Sequence, residues 1–381
     1  MEPDGCGVVN EDRQESPLSH HDGTAEAACP WCGDRRSKPI WRQSSQSEFS
    51  LQECQGCGLA YTAPQLPQAS MMDYYSKSYY GAGNLRFNRL FEFLVVQFRR
   101  RRAARLQKLR GQRTGTILDI GCGRGQFLNA LRRRGWTCSG TELSDTAAAH
   151  ARDTLSLEVR IGPFQSGMFT EAAFDVVYLW HVLEHIPTTF DALIEAQRLL
   201  NTGGMLVIAL PNLASWQARL CRYGWFHLDL PRHFIHCSTD WLMRTLSHLG
   251  FEIVEVNHFS MEQNVFGWIQ SLLNCAGLKH NLLYDVLRRR TARDVARPFR
   301  MYPVQVIVSV LAAAILLPAA VLTTIVEALL RRGGTIEVYA ARATAVDAGE
   351  LAQRRATAPL LLARSGPASN HEASSNAAGR Q

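Results

Sequence analysis

The stretch TILDIGCGRGQFLNALRRRG, residues 116–135, decides the fold. Its opening run, residues 116–120, is mostly apolar, which predicts a short buried parallel strand. A glycine-rich turn follows, and the amphipathic pattern up to about Arg134 predicts a helix. The glycines at 121, 123 and 125 do not fit the dinucleotide-binding pattern G-x-G-x-x-G, because position 126 is Gln. The stretch therefore predicts a nucleotide-type strand–turn–helix of another kind.

Short apolar runs alternate with helical patterns along the rest of the chain. Such alternation requires a mostly parallel sheet with right-handed crossovers. The sequence thus predicts an α/β fold with a Rossmann-like sheet of seven strands. The further predicted strands are residues 137–141, 157–160, 174–179, 205–210, 252–258 and 335–341, and the helices between them lie near 145–153, 189–200 and 238–250.

Two acidic residues mark the ends of the first two predicted strands. Asp119 lies just before the glycine turn. Glu142 lies 23 residues after Asp119, at the end of the second predicted strand. An acidic residue in the second position can accept both hydroxyl groups of a ribose. Read one at a time, each residue is equally a helix cap or a surface carboxylate. Together, in a strand–helix–strand unit, they predict a nucleoside-binding edge.

The pattern D-x-G-x-G-x-G at 119–125 resembles motif I of the class I S-adenosylmethionine-dependent methyltransferases. The resemblance implies a Rossmann-like methyltransferase sheet and S-adenosylmethionine as the cofactor. It places Asp119 at the cationic amino-acid end of the cofactor and Glu142 at its ribose. No acidic residue stands between Arg160 and Thr170 to bind the adenine amine, so backbone groups of 162–164 are the expected contact. The implied cofactor-binding residues are Asp119, Gly121, Gly123, Gly125, Glu142, Leu143, Trp180 and His181.

HVLEH, residues 181–185, matches the H-x-x-E-H pattern of inverted zinc peptidases. Such a site needs both histidines on one face of a helix. Here the preceding run FDVVYLW predicts a buried strand, and Pro187 disfavours a helix through this point. HVLEH is therefore predicted to be a loop at the carboxyl end of a strand, where open α/β sheets bind ligands. The run also resembles the segment after strand four in a methyltransferase subfamily.

HLDLPRHFIHCS, residues 227–238, resembles a second stretch of the same subfamily. Methyl transfer to a hydroxyl or amine requires alignment of the acceptor and removal of a proton, and histidine is the natural base near neutral pH. His181 and His233 are the predicted catalytic bases, with His185 and His236 behind them. Arg232 is predicted to hold a carboxylate or phosphate of the acceptor. The alternative is that these side chains only pack the loops.

Two C-x-x-C pairs, at 29–32 and 54–57, precede the central domain. Four thiolates at this spacing can close a tetrahedral structural zinc site. A redox dithiol and unliganded thiols are the alternatives. Residues 1–28 are polar and contain no apolar run, which predicts a chain in the reducing cytosol, where paired cysteines indicate metal. The predicted ligands are Cys29, Cys32, Cys54 and Cys57.

Residues 306–326 carry no charge and are interrupted by Pro318. The length suits a membrane helix, but the strand at 335–341 must return to the same sheet. Arginines flank both ends, which suits a segment whose two ends stay cytoplasmic. The prediction is a shallow helical hairpin, bent near Pro318, that enters one leaflet. A buried helix pair or a dimer contact is the alternative.

The chain is thus predicted to be a peripheral or monotopic enzyme at the cytoplasmic membrane face, attached through residues 302–330. Its predicted reaction is O-methylation of a glycan, a lipid-linked acceptor or another small amphipathic acceptor. The net charge of +7, with arginine clusters such as 99–102, leaves a zinc-containing RNA methyltransferase as the runner-up. A non-catalytic, cofactor-binding docking module is a third possibility. The sequence predicts no oligomeric state.

The predicted boundaries follow from these assignments. The methyltransferase domain is expected to be split by the hydrophobic insertion, because its last strand lies near the carboxyl end. The segments are a disordered tail (1–28), a zinc module (29–65), a helical linker (66–113), the methyltransferase domain (114–260 with 334–342), a helical insertion (261–333) and a second disordered tail (343–381).

Overall fold

The computed structural model describes residues 28–41, 48–66, 89–287 and 298–342, with the backbone alone at 89–92. The tails predicted at 1–28 and 343–381 lie outside these residues, apart from residue 28, and so do residues 67–88 of the predicted linker. Strands are numbered along the chain as β1 (Ser37–Pro39), β2 (Ser50–Cys54), β3 (Ala60–Ala63), β4 (Thr116–Ile120), β5 (Thr137–Glu142), β6 (Glu158–Ile161), β7 (Phe174–Trp180), β8 (Leu200–Pro211), β9 (Ile235–His236), β10 (Phe251–Asn257) and β11 (Thr335–Arg342).

Helices are numbered in the same way. They are α1 (Arg89–Leu109), α2 (Gln126–Arg132), α3 (Asp145–Ala149), α4 (Thr189–Leu199), α5 (Trp216–Cys221), α6 (Thr239–His248), α7 (Asn264–Cys275), α8 (Leu282–Leu287) and α9 (Pro303–Leu329). A short π-helix, His150–Thr154, continues α3, so the helix predicted over 145–153 changes its hydrogen-bonding pattern part-way.

A seven-stranded sheet in the order β6-β5-β4-β7-β8-β11-β10 forms the centre of the molecule. Strands β4 to β8 run parallel to one another, and β11 lies antiparallel between β8 and β10. The predicted Rossmann-like, mostly parallel fold is confirmed. Buried apolar side chains cover both faces of the sheet, which explains why β4 and β7 are mostly apolar.

A second sheet, in the order β1-β2-β3-β9, joins the amino-terminal residues to the central domain. Strand β9 comes from the histidine-rich run at 227–238, and its two residues pair with Ala60 and Tyr61 of β3. Trp31 packs edge-on against Phe190 and Trp241, with ring centroids 5.0 Å away in both cases. The cysteine-bearing segment is therefore packed into the same core as the large sheet.

The hydrophobic segment is one continuous helix, α9, of 27 residues with Pro318 inside it. The predicted hairpin was wrong. The residues around Pro318 are Ala, Leu and Val, without the Gly or Asn that a reversal needs, and a proline within a helix removes one hydrogen bond and kinks it. The helix continues because small residues on one side, such as Ala312, Ala313 and Ala320, pack against α7.

Helix α9 is fixed at its carboxyl end by a buried carboxylate. Glu327 accepts hydrogen bonds from Gln217 Nε2 at 3.1 Å, from Trp268 Nε1 at 3.0 Å and from the backbone of Gly334 at 3.2 Å. These partners belong to α5, to α7 and to the turn before β11. The helix is thus locked to the sheet at the point where the chain enters its closing strand.

Candidate functional site

The glycine turn after β4 has a backbone that only glycine adopts without strain. Gly121 and Gly125 both have φ values of 71°. A Cβ at Gly121 would lie 2.5 Å from Val182 Cγ2, and one at Gly125 would lie 2.5 Å from Leu157 Cδ1. Gly123, with φ of 56°, has open space where its Cβ would stand. The turn therefore brings bare backbone to the edge of the sheet, as close approach of a ligand requires.

Asp119 lies at the end of β4, directly below this turn, and is 4% exposed. Burial raises the pKa of its carboxyl to about 8, against the opposing fields of Arg102 and Arg99. A buried acid with no bound cation is costly to ionise. The site is thus suited to a cationic ligand, which would stabilise the carboxylate.

Glu142 connects the two loops at the edge of the sheet. Its Oε2 accepts a hydrogen bond from the Gly123 backbone at 2.7 Å, and its Oε1 accepts one from the Ser144 backbone at 2.9 Å. Each carboxylate oxygen has a second lone pair, so the group can still accept hydroxyl protons. Leu143 beside it is 38% exposed. This geometry is compatible with the predicted ribose contact.

Trp180, the last residue of β7, is covered by Arg102 from α1. The Arg102 Cζ atom lies 3.9 Å from the centroid of the indole ring, and the guanidinium pairs with Glu262 at 3.4 Å. The sequence placed Arg102 in an arginine cluster, residues 99–102, that supported the nucleic-acid alternative. The structure instead buries it against the ligand edge, which no periodicity in the sequence could have indicated.

His181 occupies the first position of the HVLEH loop with a φ of 54°, which is rare for a residue with a side chain. Its Nδ1 lies 3.1 Å from Glu184 Oε1. Its Nε2 is buried and has no hydrogen-bond partner among the described residues. Glu184 can only accept when ionised, so Nδ1 carries the proton and Nε2 is left as the basic atom.

The remainder of HVLEH forms a short 3-10 turn, Leu183–His185, rather than an α-helix. As the sequence predicted, the two histidines therefore do not lie on one face of a helix. His227 from the second histidine run faces His181, with nearly parallel rings whose centroids are 6.5 Å apart. Burial lowers the pKa of His227 to about 3, so its imidazole is neutral at physiological pH. The sequence predicted a role for His233 and assigned none to His227, which is the histidine whose ring faces His181.

His233 packs against the last residue of the HVLEH loop. Its ring meets His185 edge-on at a centroid distance of 4.6 Å, and its Nε2 is 3.8 Å from Asp229 Oδ2. Burial holds the pKa of His233 well below its usual value. Arg232 donates from Nε to Asp229 Oδ1 at 3.1 Å. Its predicted contact with an acceptor anion stays a prediction.

The four predicted metal ligands converge as one cluster. The sulfur atoms of Cys29 and Cys57 are 3.7 Å apart, those of Cys32 and Cys54 are 3.5 Å apart, and all four lie within 4.8 Å of one another. Tetrahedral zinc with Zn–S bonds of about 2.3 Å separates its sulfurs by roughly 3.8 Å. The donor set and its spacing therefore fit a structural zinc ion.

The cysteine cluster also orders the second histidine run. Trp241 Nε1 donates to the Cys57 carbonyl at 3.1 Å. Thr62 donates from its backbone to Phe234 and from its hydroxyl to the His233 carbonyl, and this hydroxyl lies 3.0 Å from His236 Nε2. The cysteine module and the histidine loop therefore form one structural unit.

Comparison with known proteins identifies the central domain. Residues 94–256 match the model of a family described as a methyltransferase domain. These residues form a methyltransferase domain. The match lies between the cysteine pairs and helix α9. The seven-stranded order and the antiparallel β11 found above are the sheet that the class I resemblance implied.

Two curated relatives align with part of this methyltransferase domain. A protein named ubiquinone biosynthesis O-methyltransferase from Maricaulis maris (strain MCS10) is 33% identical over 124 residues, which are 30% of this chain and 49% of that protein. One of the same name from Caulobacter sp. (strain K31) is 32% identical over 115 residues, 28% of this chain and 45% of that protein. The chain thus spans about half of the length of the curated relatives it matches.

The chain is also similar to a solved structure. A SAM-dependent methyltransferase from Archaeoglobus fulgidus overlaps 66% of this chain and 99% of that chain, with 18% sequence identity and a TM-score of 0.39.

Proposed function

We propose that the protein is an S-adenosylmethionine-dependent O-methyltransferase whose acceptor is a lipid-linked or otherwise amphipathic molecule at a membrane surface. One observation carries the proposal. The buried acid Asp119, the glycine turn and Glu142 meet at the same sheet edge as His181, whose basic Nε2 atom has no partner among the described residues. A cofactor cradle and a base are thus side by side.

Each residue of the site has a proposed role. Asp119 would hold the cationic amino-acid end of the cofactor and Glu142 its ribose, while the cofactor supplies an electrophilic methyl group. His181 Nε2 would take the proton of the acceptor hydroxyl as its oxygen attacks. Glu184 fixes the tautomer of His181 and stabilises the imidazolium that forms. His227, held neutral, lines the opposite side and can position the acceptor.

We further propose that the four-cysteine cluster holds a structural zinc ion. Its task would be to fix the acceptor loop rather than to react. All ligand positions are occupied by cysteine, and β9 attaches the loop to this module. Contacts of Leu143, Trp180 and the backbone of 162–164 with the cofactor are part of the same proposal.

Helix α9 supports the membrane part of the proposal. It is long and apolar enough to cross a membrane, and only 17% of its most apolar 18-residue stretch is buried, whereas the core helix of a soluble protein is mostly buried. Large apolar side chains are exposed along its free side, among them Ile307, Leu311 and Ile315. Because Glu327 and β11 fix its carboxyl end in the domain, a helix lying along one leaflet fits better than a crossing helix.

The relatives are consistent with an amphipathic acceptor, since their names connect them with ubiquinone biosynthesis. To test the activity, the full-length protein is incubated with methyl-labelled S-adenosylmethionine and host extract, and lipid, glycan and RNA fractions are counted. We expect label in the lipid or lipid-linked fraction. Label in RNA would support the nucleic-acid alternative instead. Lack of S-adenosylhomocysteine binding in calorimetry would remove the methyltransferase proposal.

Charges placed on the free side of α9 should abolish membrane binding. The triple variant Ile307→Glu, Leu311→Glu, Ile315→Glu puts carboxylates where the helix would meet the acyl chains. We expect flotation with phosphatidylglycerol-containing vesicles to fall at least about tenfold, because buried charge is costly in a membrane. The side chains are 58%, 60% and 77% exposed, so the fold should be unaffected.

The matched control carries three glutamates at similarly exposed apolar positions elsewhere, Phe93, Leu220 and Val254. This control should float like the wild type. If both triple variants float as well as the wild type, α9 is not the attachment site, and a protein–protein contact becomes the better explanation for its exposed apolar surface.

A further inference from the structure

A second group of metal-ligating side chains lies next to His181. Glu184, His185 and His233 each offer one ligand atom, and these atoms lie within 4.8 Å of one another. Glu184 and His185 come from the HVLEH loop, and His233 comes from the second histidine run. We infer that these three residues bind a divalent cation behind His181, on the side of its Nδ1 atom. The binding of the cation does not depend on the proposed methyl transfer.

Glu184 carries the strongest observation. The residue is 2% exposed, and its two oxygens differ. Oε1 contacts His181 Nδ1 at 3.1 Å, whereas Oε2 is buried and has no hydrogen-bond partner among the described residues. Leaving a buried carboxylate oxygen unsatisfied costs free energy. A cation bound to Oε2 would remove that cost, and Glu184 would then connect the base to the cation.

His185 has the arrangement typical of a metal-binding histidine. Its Nδ1 lies 3.0 Å from the backbone carbonyl of Arg232. A carbonyl can only accept a hydrogen bond, so Nδ1 carries the proton in this contact and Nε2 presents its lone pair. Metal-binding histidines are oriented in this way by a carbonyl or carboxylate behind the ring. The carbonyl belongs to the residue before His233, so one short segment supplies both a ligand and its support.

The donor set determines the class of cation. Two imidazoles and one carboxylate suit first-row transition ions such as Zn²⁺, Mn²⁺ or Fe²⁺. Mg²⁺ and Ca²⁺ prefer oxygen ligands throughout. Three protein ligands also leave coordination positions open, as catalytic sites do and as the four-cysteine cluster does not. The two clusters therefore differ in both chemistry and purpose.

Cobalt titration of the zinc-loaded full-length protein tests the site directly. Co²⁺ held by nitrogen and oxygen shows only weak d–d absorption, whereas Co²⁺ held by thiolates adds a strong sulfur-to-metal charge-transfer band. After mild chelation, the wild type is expected to bind one equivalent of Co²⁺ without that band. Glu184→Gln should weaken binding at least about 100-fold, since even loss of a supporting residue typically costs about 10–100-fold.

The matched control is His248→Ala, which removes a histidine from the end of α6 and should bind Co²⁺ like the wild type. S-adenosylhomocysteine affinity, measured on the same samples, reports whether Glu184→Gln has kept its fold. No uptake by the wild type, or unchanged uptake by a folded Glu184→Gln, would overturn the inference. If Co²⁺ binds but S-adenosylhomocysteine does not, the cation site stands and the proposed methyl transfer fails.

Discussion

Asp119→Asn is expected to weaken S-adenosylhomocysteine binding at least about 100-fold while leaving the free protein as stable as the wild type or more stable. Loss of one partner of a buried charge pair costs roughly 2–5 kcal/mol in binding. In the free protein, by contrast, the carboxyl is buried and hard to ionise. Its replacement by a neutral amide should therefore not lower the free energy of unfolding. Calorimetry and thermal unfolding of the same samples measure both effects.

The pH dependence gives this variant a distinctive signature. Burial raises the pKa of Asp119 to about 8 in the folded protein, above its ordinary value of 3.8. Its contribution to stability is therefore complete below the ordinary pKa and is lost as the pH rises toward 8. A cationic ligand needs the ionised form, so affinity should rise up to about tenfold per pH unit between pH 6 and 8, with release of a proton. Asp119→Asn should abolish this slope.

The control for both measurements is Asp153→Asn, an exposed carboxylate on the neighbouring π-helix. It should change neither affinity nor its pH dependence. Wild-type binding that is flat from pH 6 to 8, or an Asp119→Asn variant that binds like the wild type, would show that Asp119 does not meet the cationic end of the ligand.

Cys54→Ser should lower the rate of methyl transfer more than about 100-fold, although Cys54 lies far from the cofactor loops in sequence. Loss of one ligand releases a structural zinc ion, and small zinc modules unfold without metal. The module would then no longer hold β9, and the histidine run at 227–238 would lose its pairing with Thr62. Zinc content, label transfer and S-adenosylhomocysteine affinity are measured together.

Cofactor binding should survive in Cys54→Ser at low temperature, because the glycine turn, Asp119 and Glu142 belong to the large sheet. The melting temperature should nevertheless fall, since the module shares a core with that sheet. Cys275→Ser, which alters an exposed thiol, serves as the control and should behave like the wild type. A zinc-free Cys54→Ser that transfers methyl groups at the wild-type rate would contradict the proposed role of the module.

The large sheet could be predicted from sequence because its signals are local. Strands β4 and β7 are mostly apolar runs bounded by turn residues, and their carboxyl ends directly give the ligand edge. The four cysteines were recognisable for a similar reason, since C-x-x-C spacing leaves few alternatives. In both cases the residues that decide the structure are close neighbours in the chain.

The features that could not be predicted depend on contacts between distant segments. Strand β9 has two residues, too few for any periodicity, and exists because β3 lies alongside it. The choice between His227 and His233 required knowing which ring faces His181. The sequence predicted a hairpin in place of helix α9, because Pro318 and the flanking arginines fit a hairpin as well as a continuous helix. The packing of α9 on α7, which distinguishes the two, arises only in the folded chain.

The position of β11 sets the order in which the molecule can be assembled during synthesis. Strands β8 and β10 leave the ribosome well before residue 335, but they are joined only when β11 inserts between them. Helix α9 is made just before that strand, so its apolar surface emerges while the sheet is still open. The nascent chain therefore presents the apolar surface of α9 before the large sheet is complete. A chain that stops short of β11 would retain two unpaired sheet edges beside an exposed apolar helix, a combination that quality control should remove.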